Sequence, residues 1–267
     1  MLCFHEEAVR DAANELKVLR AVQHPSLLPL LDSLATRSSK GGHTCREMAF
    51  LFPFCRRGSL TDAIDRANTK WPFTEREVLR TFFGICQGLL ALHEHDIAHW
   101  DIKPHNVLLS DQGQPLLMDF GSCCSPATQT VTERRAALLL EEQAAAKCSP
   151  AYRPPELTQV LPNVPVDSRV DVWAMGCLLY CLAYGRSPFE SPTEGVLRLG
   201  ILNGRYSFPP RNAPPLPFPP SSSSSSSSFS PAFNQLITFC LNPNPSLRPS
   251  LSDVMKEAQA LVASPSF

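Results

Sequence analysis

The sequence predicts an α+β chain in two unequal parts, a small strand-containing N-terminal portion and a larger, mainly helical one. Three observations carry this. Apolar residues recur at three- and four-residue spacing in several long segments, which is the period of an amphipathic helix. Strand-like apolar runs gather in the first 54 residues. A further pair of short apolar runs, Val107 to Leu109 and Leu116 to Met118, is split by Ser110-Asp111-Gln112-Gly113, the pattern of a β-hairpin.

The first helix is expected from about Glu6 to Val22, because Val9, Ala12, Ala13, Leu16, Leu19 and Val22 fall on one face. His24-Pro25 ends it. Strand-like segments follow at Leu27 to Leu31 and Met48 to Phe54, with a turn at Ser38 to Gly42 between them. Ser59 is placed to cap a short helix. Thr74 and Glu77 form a capping-box pattern ahead of a long helix with Val78, Phe82, Cys86 and Leu89 along its core side. The Ala-Leu-Glu-rich run Glu133 to Lys147 has helix-forming composition. Asp171 opens an apolar helix, where it is placed as a cap candidate, and Leu251 to Val262 closes the chain as an amphipathic helix. Pro209 to Ser230 differs in kind: seven prolines and eight consecutive serines cannot bury a core, so it reads as a disordered loop insertion.

A chain of 267 residues suits one large domain or two lobes. Its net charge of −1 gives no electrostatic case for nucleic acid or an anionic membrane. The ten cysteines show no CxxC pair or zinc spacing and fit reduced thiols in the cytoplasm. No apolar run reaches the roughly 20 residues of a membrane span.

Chemistry concentrates between Ile97 and Cys123. Asp101, Lys103 and Asn106 precede the hairpin and Asp119 follows it, so the fold-back brings Asn106 and Asp119 together. Phosphoryl transfer needs metal ligands, a cation and a group that orients the nucleophile. Asn106 and Asp119 offer hard oxygens to Mg²⁺, Lys103 a point charge, and Asp101 an acceptor for a hydroxyl proton.

His99-Trp100-Asp101-Ile102-Lys103-Pro104-His105-Asn106, followed by Asp119-Phe120-Gly121, resembles the catalytic loop and Asp-Phe-Gly motif of protein kinases. Within that family the likeness is to the myristoylated and palmitoylated branch of the Numb-associated serine/threonine kinases. It rests on LCFHEEAVRDAANE, LFPFCRRGSL, GICQGLLALHEHDIAH, DQGQPLLMDFGS and QAAAKCSPAYRPPEL. The resemblance implies a protein-kinase-like fold, with residues 1–54 as a small lobe and 55–267 as the large catalytic lobe. It implies transfer of the γ-phosphate of ATP to serine or threonine hydroxyls of protein substrates, with Mg²⁺, by a monomer. Asp101 and Lys103 would be catalytic, and Asn106 and Asp119 would hold metal and nucleotide. Glu15 would pair with a strand lysine, the alternative being a solvated helix charge. Phe52 to Cys55 would be the hinge; Pro53 has no N–H, which leaves Cys55 to donate to the purine edge. Ser149 would touch Asp101 and Lys103, Asp171 would hold the catalytic loop, and Glu156 and Arg248 would form a buried ion pair.

The sequence departs from that family at three places. Nothing like a glycine-rich loop or a Val-Ala-Ile-Lys strand precedes Glu15, so the small lobe reads as truncated, through an incomplete chain or a start at an internal methionine. Trp100 stands in place of arginine, cannot bind a phosphate as a guanidinium does, and is expected to pack under the loop. Leu2 replaces the glycine needed for myristoylation, so membrane or Golgi association of a full-length form rests on family analogy. Two rivals remain: a pseudokinase scaffold, favoured by the missing lysine, and a small-molecule kinase, opposed by the Pro-Pro-Glu segment.

Overall fold

The computed structural model describes residues 2–3, 6–40, 43–66, 73–209 and 229–263. Helix α1 (Glu6–Ala21) lies between two packing partners. Its Val9, Ala12 and Leu16 cover Met48 and Phe50 of a small sheet. Val18, Leu19 and the following Val22 enter the main helical core. The sheet has strand order β1 (Leu2–Cys3), β3 (His43–Leu51), β2 (Asp32–Lys40), all antiparallel.

Two strand expectations are corrected. The apolar run 27–31 is not a strand; Leu27 and Leu28 are buried against the 107–117 hairpin, where Leu28 N–H donates to Leu117 O at 2.9 Å and Leu117 N–H to Ser26 O at 2.8 Å. The strand is the polar stretch that follows, because cross-strand pairing from Asp32↔Leu51 to Lys40↔His43 outweighs intrinsic preference. That pairing shortens the expected 38–42 turn, of which 41–42 lie outside the described residues. Strand β3 begins ahead of Met48 and stops at Leu51. Phe52-Pro53-Phe54 leaves the sheet, and Pro53 has no N–H with which to continue the ladder.

The rest is mainly helical, with short two-stranded antiparallel pairings. Helix α2 (Leu60–Asp65) is capped by Ser59, and α3 (Glu75–Glu94) by Thr74, each with a reciprocal capping box. The hairpin β4 (Val107–Leu109) and β5 (Pro115–Leu117) sits on α3. Then come α4 (Arg134–Lys147), the single turn α5 (Pro155–Thr158), α6 (Arg169–Tyr184), α7 (Arg198–Asn203), α8 (Pro231–Cys240) and α9 (Leu251–Ala263). Helix α6 is apolar all round and is the core axis, buried from Val170 to Ala183. At Gly176 a Cβ would stand 2.7 Å from the Cys240 Cβ, so the missing side chain lets α8 approach. Gly185 ends α6 in the left-handed region at φ 81°. Among the described residues no helix is long and apolar enough to cross a membrane.

Residues 210–228, which hold the serine run, lie outside the described residues. Their flanks are fixed. Phe208 stacks 5.9 Å from Tyr180, and Phe229 packs 5.7 Å from Tyr184 and 4.6 Å from Phe233. Ser230 caps α8 and donates its N–H and Oγ to the Glu75 carboxylate at 2.7 and 2.6 Å. Composition groups Phe229 and Ser230 with the insertion; the structure makes them part of the α8 start.

One ion pair ties α5 to the turn before α9. Arg248 Nη1 and Nη2 donate to the Glu156 carboxylate at 2.6 and 2.9 Å. Its remaining donors reach Asn242 O and Arg169 O, and the guanidinium lies 5.3 Å above the Trp173 ring. Such a pair is bidentate and buried on both sides, so its removal strands a charge. We expect Glu156→Gln to lower unfolding free energy by about 3–5 kcal/mol, read from urea denaturation; a loss below about 1 kcal/mol would make the pair dispensable.

Candidate active site

The loop that carries Asp101 is anchored from below. Asp171, fully buried on α6, accepts the N–H of His99 at 2.8 Å and of Trp100 at 2.9 Å. His93, at the end of α3, adds a third contact at 2.9 Å. Asp171 is therefore an internal acceptor and not a helix cap. Its grip sustains a left-handed backbone at Trp100, φ 69°, a conformation costing a bulky residue about 1–3 kcal/mol. The Trp100 side chain packs beneath the loop, as expected, in a second apolar cluster with Ala137, Leu140 and Ala144 of α4 and Val160 and Val170. Its indole Nε1 has no partner among the described residues.

Above this anchor the polar residues converge. Asp101 Oδ2 accepts from Lys103 Nζ at 2.7 Å and from Asn106 Nδ2 at 3.0 Å, and Oδ1 accepts the Ser149 N–H at 2.9 Å. Lys103 Nζ also donates to Ser149 Oγ at 2.7 Å. Burial alone would push the Asp101 carboxyl up, but the Lys103 and Ser149 hydrogen bonds outweigh it and hold it below its ordinary value. His99 steadies the turn: Nδ1 accepts the Asp101 N–H at 3.3 Å, which assigns the ring proton to Nε2, donated to Met118 O at 3.1 Å.

The hairpin brings Asn106 and Asp119 to adjacent chains. Val107 pairs with Leu117, and Met118 N–H donates to Asn106 O at 3.0 Å. Asp119 takes a left-handed backbone, φ 66°, before the 3₁₀ turn Phe120–Ser122. On the other side stands α1, whose half-buried Glu15 faces the backbone N–H of Phe120. Burial first, and the neighbouring Asp119 carboxylate second, push Glu15 up to about 7, against the opposing pull of the Phe120 N–H.

Asp101, Lys103 and Asn106 thus form one hydrogen-bonded group, with Asp119 beside Asn106 and Glu15 beside Asp119. Cys55 stands apart, on the connection from β3 to α2, where its carbonyl accepts the Gly58 N–H at 3.1 Å. A cavity of about 280 Å³ opens on the outer side of Lys103, lined by Thr61, Asp65, His105, Tyr152, Arg186 and Glu190 among others. Sequence reasoning missed His93, which carries no motif beyond its place at a helix end. It also missed Asp11 and Asn14, which pass for surface residues of an amphipathic helix.

The donor set suits Mg²⁺. The Asn106 NH₂ is taken by Asp101 O at 2.8 Å and Asp101 Oδ2, which leaves Oδ1 as the hard oxygen it can offer beside the Asp119 carboxylate. Among the described residues there is no cluster of three or more His, Cys, Asp or Glu that could hold a metal. Mg²⁺ typically takes one or two protein carboxylates and shares its remaining positions with substrate phosphates and water.

A raised carboxyl value has a defined sign. Between its ordinary value of 4.5 and about 7, Glu15 is protonated when folded and ionised when unfolded, so stability falls as pH rises through that window. We expect Glu15→Gln to raise the melting temperature of the ligand-free protein at pH 8 more than at pH 4.5. An equal shift at both values would remove Glu15 as the titrating group.

Residues 4–259 match the protein kinase domain family. Serine/threonine-protein kinase 16 of Rattus norvegicus is 35% identical to the chain, over 98% of this chain and 80% of that relative. The protein of the same name from Homo sapiens is also 35% identical, with the same coverage. Serine/threonine-protein kinase ENV7 of Saccharomyces cerevisiae is 28% identical, again over 98% and 80%. The chain belongs to the protein kinase family.

Proposed function

We propose that the protein is a serine/threonine kinase that moves the γ-phosphate of ATP to protein hydroxyls, with residues 1–54 as the small lobe and 55–267 as the large lobe. The carrying observation is the Asp101–Lys103–Asn106–Ser149 hydrogen-bonded group, set beside Asp119. Asp101 is held ionised, so it orients the substrate hydroxyl and receives its proton as the transfer completes. Its depressed value makes it a positioning acceptor more than a strong base. Lys103 holds its ammonium at the point where phosphoryl charge develops, close enough to Asp101 and Ser149 to stay in place.

Asn106 and Asp119 would hold Mg²⁺, which when bound neutralises phosphate charge. Glu15 would sit beside that cation and serve the nucleotide side of the site. Cys55 would offer its backbone N–H to the adenine edge. The cavity beside Lys103 fits an extended peptide approaching Asp101. Eight of the ten cysteines are recorded as free thiols, and a cytoplasmic location is part of this proposal.

A second reading, a nucleotide-independent scaffold, is favoured by one observation: among the described residues no cation pairs with Glu15, and a carboxylate is its charged neighbour. One experiment separates them. Wild-type protein with Mg²⁺ and labelled ATP should label serine and threonine in peptide mixtures, and Asp101→Asn should reduce the rate by about 10²–10⁴-fold while keeping the melting temperature. Equal rates would remove Asp101 from the mechanism. A folded wild-type protein without transfer would favour the scaffold.

A further inference from the structure

Asp11, Asn14 and Glu15 stand at i, i+3 and i+4 on one face of α1. All three reach the segment that begins at Asp119. Glu15 faces the Phe120 N–H, and Asn14 Nδ2 donates to Cys123 O at 2.9 Å. Asp11 Oδ1 pairs with Lys147 Nζ at 3.2 Å. Lys147 is the last residue of α4, and its ammonium also lies 3.4 Å from Gly121 O, while its own carbonyl accepts from Ser122 Oγ at 3.0 Å.

The other end of this linkage is firm. Helix α4 is packed on Trp100, and its Glu141 carboxylate accepts the Val160 N–H at 2.8 Å. Arg153 Nη2 donates to Ala145 O at 3.3 Å and Cys148 O at 2.7 Å, closing the helix C-terminus. Two residues past Lys147, Ser149 makes its contacts with Asp101 and Lys103. One ammonium therefore joins three parts: the helix that carries Glu15, the turn that carries Asp119, and the helix that leads into the Asp101 group.

We propose that Lys147 is a positioning residue for phosphoryl transfer: by bridging Asp11 and the Gly121 carbonyl it sets α1 and the Asp119 turn relative to Asp101. This rests on the kinase reading above. The alternative, a purely structural surface pair, makes a different forecast. Asp11 and Lys147 are both partly exposed, and pairs of that kind add little to stability. A bridge between two elements of a site still couples them, and residues in such linkages alter activity without touching substrate.

The test uses the whole chain. Lys147→Met should lower kcat by roughly two- to thirty-fold while moving the melting temperature by no more than about 3 °C. Lys147→Arg should recover most of the rate, since a guanidinium can still reach both partners. Asp11→Asn should cost no further rate in a Lys147→Met background, because the pair is already broken. Wild-type rates in Lys147→Met, no recovery with arginine, or fully additive losses would each overturn the proposal. If the wild-type protein transfers no phosphate, the kinase reading fails by itself, and amide hydrogen exchange decides the clamp. Faster exchange at α1 and residues 120–123 in Lys147→Met, restored in Lys147→Arg, supports it; unchanged exchange overturns it.

Discussion

The carboxylate of Asp171 is the interaction on which the rest of the site depends. It is a buried charge with three donors on it, two of them the backbone N–H groups of His99 and Trp100. Hydrogen bonds to a charged acceptor contribute about 1.5–3 kcal/mol each, enough to offset the left-handed backbone it imposes at Trp100. With that turn fixed, His99 places the Asp101 N–H, and Asp101 gathers Lys103, Asn106 and Ser149 around one carboxylate. Asp171 sits on α6, the helix with the deepest burial in the molecule. The Asp101 group is thereby referred to a helix buried along nearly all of its length, as a site of defined geometry requires.

A second consequence follows from Trp100. An indole under the loop converts what a guanidinium would treat as an electrostatic site into an apolar one, and α4 supplies the matching face through Ala137, Leu140 and Ala144. Burial of so large a ring is worth a few kcal/mol, against about 1–3 kcal/mol for leaving Nε1 without a partner. The segment between Asp119 and Ser149 is held by this packing, by hydrogen bonds within it and by the Lys147–Asp11 ion pair. The same segment contributes Ser149 to the Asp101 group, so packing on Trp100 and the order of the site are linked.

The parts legible in the sequence were those fixed by local chemistry or by motif spacing. The cap at Ser59, the capping box at Thr74, the hairpin around Gly113, the helix ending at Lys147 and the Glu156–Arg248 pair all stand as expected. The parts that were not legible depend on tertiary pairing. Leu27 to Leu31 looks like a strand, yet only Leu27 and Leu28 of it are buried, against the hairpin, while the polar run Asp32–Lys40 becomes the strand through its partner. Asp11 and Asn14 read as solvent-facing helix polar residues, and only the fold shows what lies opposite them. His93 reaches Asp171 across 78 positions of sequence, a contact that no local pattern encodes.

The central claim is that Asn106 and Asp119 form the metal-holding edge of a phosphoryl-transfer site whose acceptor is Asp101. Crystals grown with Mn²⁺ and a non-hydrolysable ATP analogue test it most directly, through the anomalous signal of the ion. The account predicts manganese between Asn106 Oδ1 and the Asp119 carboxylate, with the terminal phosphate turned toward Asp101 and Lys103. Nucleotide bound with the metal elsewhere, or a metal that survives the Asp119→Ala substitution unchanged, would contradict it.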